Sequence, residues 1–219
     1  FGTRGISPQT LLDLKVSEGP EWMPQTSKEE NTIQFNYYMG DQLINVKYRD
    51  GRKNFKLYKG AEKVFYNINS VVGHDWCVIV EGEMDVLALH EAGIPNAISV
   101  PNGATLNSNN LDYLDNCIDY LDSKSKIVLA VDADEPGQAL KQEFIRRLGA
   151  EVCFLVDFNG SKDANEYLLE HGKEALKGVI NKATQVPLEG VSTLRDIEGE
   201  LVDFVKNGFK AGFQVGLDN

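Results

Sequence analysis

Acidic residues recur where this chain leaves an apolar run: Glu81 and Asp85 in VIVEGEMD, Asp132, Asp134 and Glu135 in IVLAVDADEPGQ, and Asp163 in GSKDANE. Carboxylates crowded together repel, and the arrangement costs free energy unless a cation or a reaction offsets it. The three histidines (His74, His90, His171) and three cysteines (Cys77, Cys117, Cys153) are scattered and isolated. Carboxylates without imidazole or thiolate suit a hard, oxygen-seeking ion, so the pattern points to Mg²⁺ or Mn²⁺ rather than zinc. Gly82 and Gly137 permit sharp backbone turns beside Glu81 and ahead of the next helix. A plainer reading stands beside this one: an acidic residue that opens a helix is favoured by the dipole and by capping, which covers Glu135 and competes evenly for Asp163. An Asp-x-Asp after a strand also occurs in phosphatase-, receiver- and glycosyltransferase-type sites.

The elements around these residues predict an α/β fold. From residue 75 onward, apolar runs at 76–81, 96–101, 126–132 and 151–157 alternate with helical patterns at 83–93, 110–122 and 137–149, and two short helices follow at 163–172 and 173–183. Fully apolar strands separated by amphipathic helices predict a parallel sheet covered on both faces. In such sheets ligands bind outside the carboxyl ends of the strands, where the acidic residues fall. Residues 1–74 read instead as a smaller, strand-rich region. A short helix begins at SPQT, with Ser7 as N-cap and Pro8 in its first turn. After a polar loop, strands are expected at 32–39, 42–48 and 54–59, joined by turns at MGDQ and RDGRK. Residues 187–219 read as a linker with one amphipathic helix ending at Gly208.

The net charge of −11 is unevenly distributed. Residues 1–74 carry 10 basic against 8 acidic residues, and residues 75–219 carry 12 against 25. Within 47–63, seven basic residues face two acidic ones. That asymmetry is what one surface for phosphates and another for metal ions would need, although solubility alone also produces it. No apolar run approaches the ~20 residues of a membrane span. Few, unpaired cysteines fit a reducing compartment, and a cytoplasmic setting in a bacterial or phage-infected cell is expected.

The combination CVIVEGEMDVLAL and IVLAVDADEPGQ resembles the TOPRIM domain shared by primases, topoisomerases and some nucleases. With SVPNGA, KDANEYL and the upstream NVKYRDGRKNFK, the chain is similar to one branch: the primase half of phage-type primase–helicases and Twinkle-type helicases. The resemblance implies a Rossmann-like parallel sheet flanked by helices (75–186), a preceding basic subdomain (1–74), and a linker toward a helicase domain (187–219). It implies that Glu81, Asp132, Asp134 and Asp163 form the metal pocket, with Asp132 and Asp134 holding metal most directly and Glu81 as ligand or general base. Asp85, one helical turn beyond Glu81, would orient a ligand from behind. Lys47, Arg49, Lys53 and Lys56 would bind nucleoside triphosphate or the phosphates of a single-stranded DNA template; in a strand, Lys47 and Arg49 share a face. A solvated hairpin edge would show the same charges. Asn102 would approach substrate or template, or simply turn the chain. Tyr48, Phe55 and Tyr58 offer rings for stacking on bases, but strand aromatics are more often core. The family's zinc-binding module and helicase are expected as further parts of the same polypeptide.

The implied activity is metal-dependent primer synthesis on single-stranded DNA. The rival readings are an inactive TOPRIM module that binds DNA or plays a structural part in a replicative helicase, and a TOPRIM nuclease. A topoisomerase fits less well, since no catalytic-tyrosine domain is recognisable.

Overall fold

The computed structural model describes residues 1–102, 111–132 and 134–187, together with Val202 and Val205. Phe1–Val186 form one compact unit and Pro187–Asn219 a second. The Asn/Ser segment after Gly103 lies outside the described residues, as does the helix expected to end at Gly208, apart from helical Val202 and Val205.

The N-terminal part opens with α1 (Pro8–Asp13), where the Ser7 hydroxyl accepts a hydrogen bond from Thr10 N. Four antiparallel strands follow in the order β1-β2-β3-β4: β1 (Val16–Met23), β2 (Lys28–Met39), β3 (Gln42–Arg49) and β4 (Phe55–Leu57). Gly40 turns the β2–β3 hairpin at φ 57°, the left-handed conformation glycine adopts without penalty. The Asp50 carboxylate organises the β3–β4 turn by accepting from Arg52 N at 2.8 Å and Asn54 N at 2.9 Å. The polar loop expected before residue 32 is in fact β1 and the start of β2. β1 contains Gly19 and Pro20, which disguise a strand in sequence but are tolerated at the edge of a sheet.

The second sheet has the order β6-β5-β7-β8-β9, formed by β5 (Trp76–Val80), β6 (Ala97–Ser99), β7 (Lys126–Leu129), β8 (Cys153–Leu155) and β9 (Thr184–Gln185). The first four are parallel, as their apolar runs predict; β9 is antiparallel to β8, so the sheet is mixed at one edge. Around it lie α2 (Glu83–Glu91), α3 (Asp112–Asp115), α4 (Ile118–Leu121), α5 (Glu135–Leu148), α6 (Ala164–His171) and α7 (Lys173–Asn181). The single helix expected over 110–122 is two short ones, interrupted at Asn116 and Cys117.

Tyr66 joins the two sheets. Its backbone pairs with Ser99, its hydroxyl donates to Leu14 O at 2.9 Å, and its ring meets Phe35 and Tyr37 edge-on. Leu14, Phe35, Tyr37 and Tyr66 belong to one continuous buried cluster that also includes Val78, Ile79 and Leu87.

Candidate active site

The strand order sets Glu81, which follows β5, beside Asp132, which follows β7. Asp132 N donates to Glu81 Oε1 at 3.0 Å. The close approach depends on Gly137: a Cβ there would lie 2.5 Å from Glu81 Oε1 and 2.3 Å from Asp132 O, inside any allowed contact. Asp134 caps α5 by accepting from Gly137 N at 3.0 Å, and Asp163 caps α6 by accepting from Glu166 N at 2.8 Å. The capping reading of Asp163 is thus realised, and each cap uses only Oδ1.

Behind this rim, Asp85 is buried and accepts from Asn165 N at 3.0 Å. Burial, and then the neighbouring Asp163 carboxylate, push the Asp85 carboxyl well above the ordinary aspartate range. Asp132 is also pushed up, chiefly by burial, against the pull of Lys162, whose Nζ lies 3.2 Å from Asp132 Oδ2. Carboxyls whose pKa is raised by burial and then by neighbouring like charge mark a place where a cation is favoured. Among the described residues, no three His, Cys, Asp or Glu side chains close on one point as a preformed metal cage would. The donor set nevertheless fits Mg²⁺ or Mn²⁺ in kind: it is all carboxylate, with the Lys162 ammonium standing in as a cation against Asp132.

The basic residues divide between the two faces of the first sheet. Lys47 and Arg49 share one face, as strand alternation predicts, and both lie over the Phe55 ring. Lys47 is buried, with Nζ 2.8 and 3.1 Å from the two oxygens of Glu83. Glu83 also accepts from the Tyr37 hydroxyl. Arg49 lines a pocket of about 160 Å³ with Arg4, Phe55, Asp85, Asp163 and Asn165. Burial and the like charge of Arg4 both lower the Arg49 pKa. Lys56 points to the opposite face, paired with Glu21 at 2.6 Å, and Lys53 sits exposed in the β3–β4 turn. Asn102 is exposed at the last described position beyond β6.

Four participants were not nominated from sequence: Glu83, Arg4, Asn165 and Lys162. Glu83 and Lys162 lie inside the quoted EGEMD and SKDANE stretches, where the residues beside them drew the assignment. Arg4 holds Asn165 by two hydrogen bonds, at 3.0 and 2.9 Å, across 161 residues of sequence, which no local pattern signals.

Residues 78–168 match the Toprim-like family model. The chain is 38% identical to the primase homolog protein of Arabidopsis thaliana over 206 residues, covering 86% of this chain and 59% of that protein. It is 33% identical to the chloroplastic/mitochondrial Twinkle homolog protein of the same plant, over 100% of this chain and 33% of the relative. The chain thus spans less than two thirds of the length of the first relative and about one third of the second. The primase fragment of the bacteriophage T7 primase-helicase protein superposes with a TM-score of 0.68 at 22% identity, covering 81% of this chain and 71% of that one. The fold implied by the sequence is the fold observed. Among the described residues, no helix is long and apolar enough to cross a membrane.

Proposed function

We infer that this chain, which carries a Toprim-like domain of the kind borne by primase-type relatives, is the catalytic part of a DNA primase. The reaction is template-directed nucleotidyl transfer: a 3′-hydroxyl attacks the α-phosphate of a nucleoside triphosphate, and pyrophosphate leaves. One observation carries the reading. Asp85 and Asp163 line one pocket with Arg4 and Arg49, and the Asp132 carboxylate is near enough to interact electrostatically with both aspartates, so acidic groups suited to cations adjoin cationic groups suited to phosphates. Asp132 and Asp134 would hold Mg²⁺ or Mn²⁺, with Glu81 and Asp163 completing the acidic set and Asp85 orienting from behind. Such an ion supplies charge neutralisation at the transferring phosphoryl group and lowers the pKa of the attacking hydroxyl. Arg49 and Arg4 would receive triphosphate oxygens; Lys53 would meet the template backbone farther out, and Asn102 would approach it from β6, whereas Lys56 is engaged by Glu21 on the opposite face of the sheet. Lys47 supports the site by neutralising Glu83. The partners are single-stranded DNA, nucleoside triphosphates and, within the same polypeptide, a helicase and a zinc-binding module.

A second reading, a DNA-binding module without catalysis, is favoured by two contacts: Lys162 on Asp132 and Lys47 on Glu83 already compensate two of the carboxylates. The two are separated by supplying a single-stranded DNA template, a complementary short RNA starter, labelled nucleoside triphosphates and Mg²⁺ or Mn²⁺. Extension that disappears in Asp134→Asn establishes the primase reading. DNA binding without extension establishes the binding module, and template cleavage a nuclease.

A further inference from the structure

Phe55 is an apolar ring set in a wall of charge. It is 44% exposed, yet it lines the pocket that holds Arg4, Arg49, Asp85 and Asp163, while Phe35 in the same pocket is 1% exposed. Contacts on both sides hold it in place. Phe55 pairs with Arg49 across the β3–β4 ladder, and its carbonyl accepts from Gln25 Nε2 at 2.9 Å. Lys47 Nζ and the Arg49 guanidinium carbon lie 5.3 and 5.6 Å from the ring centroid, within range of cation–π attraction. Trp22 and Tyr58 are also exposed, but neither lines this pocket.

An aromatic plane left open beside two guanidinium groups matches one class of ligand: a flat heteroaromatic base carrying phosphates. Stacking on aromatic side chains is tolerant of base identity, because every base has a π-face, and the neighbouring cations take the phosphate charge. We propose that Phe55 is a stacking platform for a nucleobase at the edge of the acidic rim, a positioning residue that the sequence left as core. The proposal rests on the nucleotidyl-transfer reading for its place in the reaction, but not for the contact itself. The base belongs either to the incoming nucleoside triphosphate or to the single-stranded template; the shared chemistry is the stacked base.

The test uses 2-aminopurine, whose fluorescence is quenched on stacking, in two arms: 2-aminopurine riboside triphosphate, and a single-stranded oligonucleotide with one internal 2-aminopurine. The whole chain is titrated into each, as wild type, Phe55→Leu and Phe55→Trp. Quenching is expected in one arm, identifying the source of the base. Affinity there should fall about 10-fold in Phe55→Leu and be retained in Phe55→Trp. A ring serving only as cover for the Lys47–Glu83 pair would be replaced by leucine without loss. Equal quenching and affinity in wild type and Phe55→Leu would therefore overturn the proposal, as would no quenching by wild type in either arm. Starter extension, measured in parallel, separates the two ideas. Extension without a Phe55 effect removes the platform and keeps the primase; a Phe55-dependent quench without extension does the reverse.

Discussion

Lys47 and Glu83 form a two-point ion pair, 2.8 and 3.1 Å, with side chains only 11% and 4% exposed. Removing one partner of such a pair strands the other as an uncompensated buried charge, at about 3–5 kcal/mol. Lys47→Met should therefore destabilise the chain by that amount in urea denaturation. Lys47→Met/Glu83→Gln should recover most of the loss, because a neutral amide still accepts from Tyr37 and needs no cation. If the double variant is as unstable as the single one, the cost lies in packing instead.

Asp134 and Asp163 can be separated from their capping duties. Asparagine caps a helix about as well as aspartate, so Asp134→Asn and Asp163→Asn should leave the melting temperature nearly unchanged. Under the primase reading, in which Asp134 would hold a divalent cation, Asp134→Asn should nonetheless lower starter extension at least about 100-fold, since a metal's charge stabilisation is worth several kcal/mol. A variant that melts early would mean that the cap, not the ligand, was disturbed.

Gly137→Ala reverses an ordinary expectation. Alanine in a helix is usually better than glycine by about 0.5–1 kcal/mol. Here its Cβ would lie 2.3 Å from Asp132 O, a backbone atom that cannot swing aside. Overpacking of this kind costs about 1–3 kcal/mol, which outweighs the propensity gain. The variant should melt lower and lose extension, since Glu81 and Asp132 must separate to admit the methyl group.

Glu91 supplies a pH dependence far from the acidic rim. Burial raises its pKa, but hydrogen bonds from Lys173, Ser7 and Thr10 prevail and hold it at about 2, against an ordinary 4.5. A depressed carboxyl contributes stability that is present above its unfolded value and lost as pH falls through the folded one. The wild-type chain should thus lose about 2–3 kcal/mol between pH 4.5 and pH 2 on account of this group. Glu91→Gln should be less stable at pH 7, and its stability should fall less steeply over that acid window.

Much of this arrangement is legible in sequence, for physical reasons. Strand segments such as 77–80 and 127–129 are buried on both faces and read as unbroken apolar runs. Acidic residues just beyond them land at the carboxyl edge of a parallel sheet by topology alone. Alternation also places Lys47 and Arg49 together correctly. What alternation cannot reveal is curvature and partnership. Lys56 reaches Glu21 across the sheet, from β4 to β1, which breaks up the apparent basic cluster. Glu83 lies 36 residues from Lys47, and only the packed fold shows that a lysine nominated for phosphate is spent on a carboxylate. Edge strands were hidden for a different reason: β1 has Gly and Pro in a polar run, and β9 is two residues long.

Helix α2 ties these sites together. Val86, Leu87, Ala88 and Leu89 are all fully buried, so the helix has no solvent face in its middle. Glu83 and Asp85 hold its first turn to β3 and α6, and Glu91 holds its last to α1 and α7. Backbone amides in such a segment exchange with solvent only through the rarest openings. Glu83 and Asp85 thus ride on a segment whose middle is fully buried, and its amides should be among the slowest to exchange of the described residues.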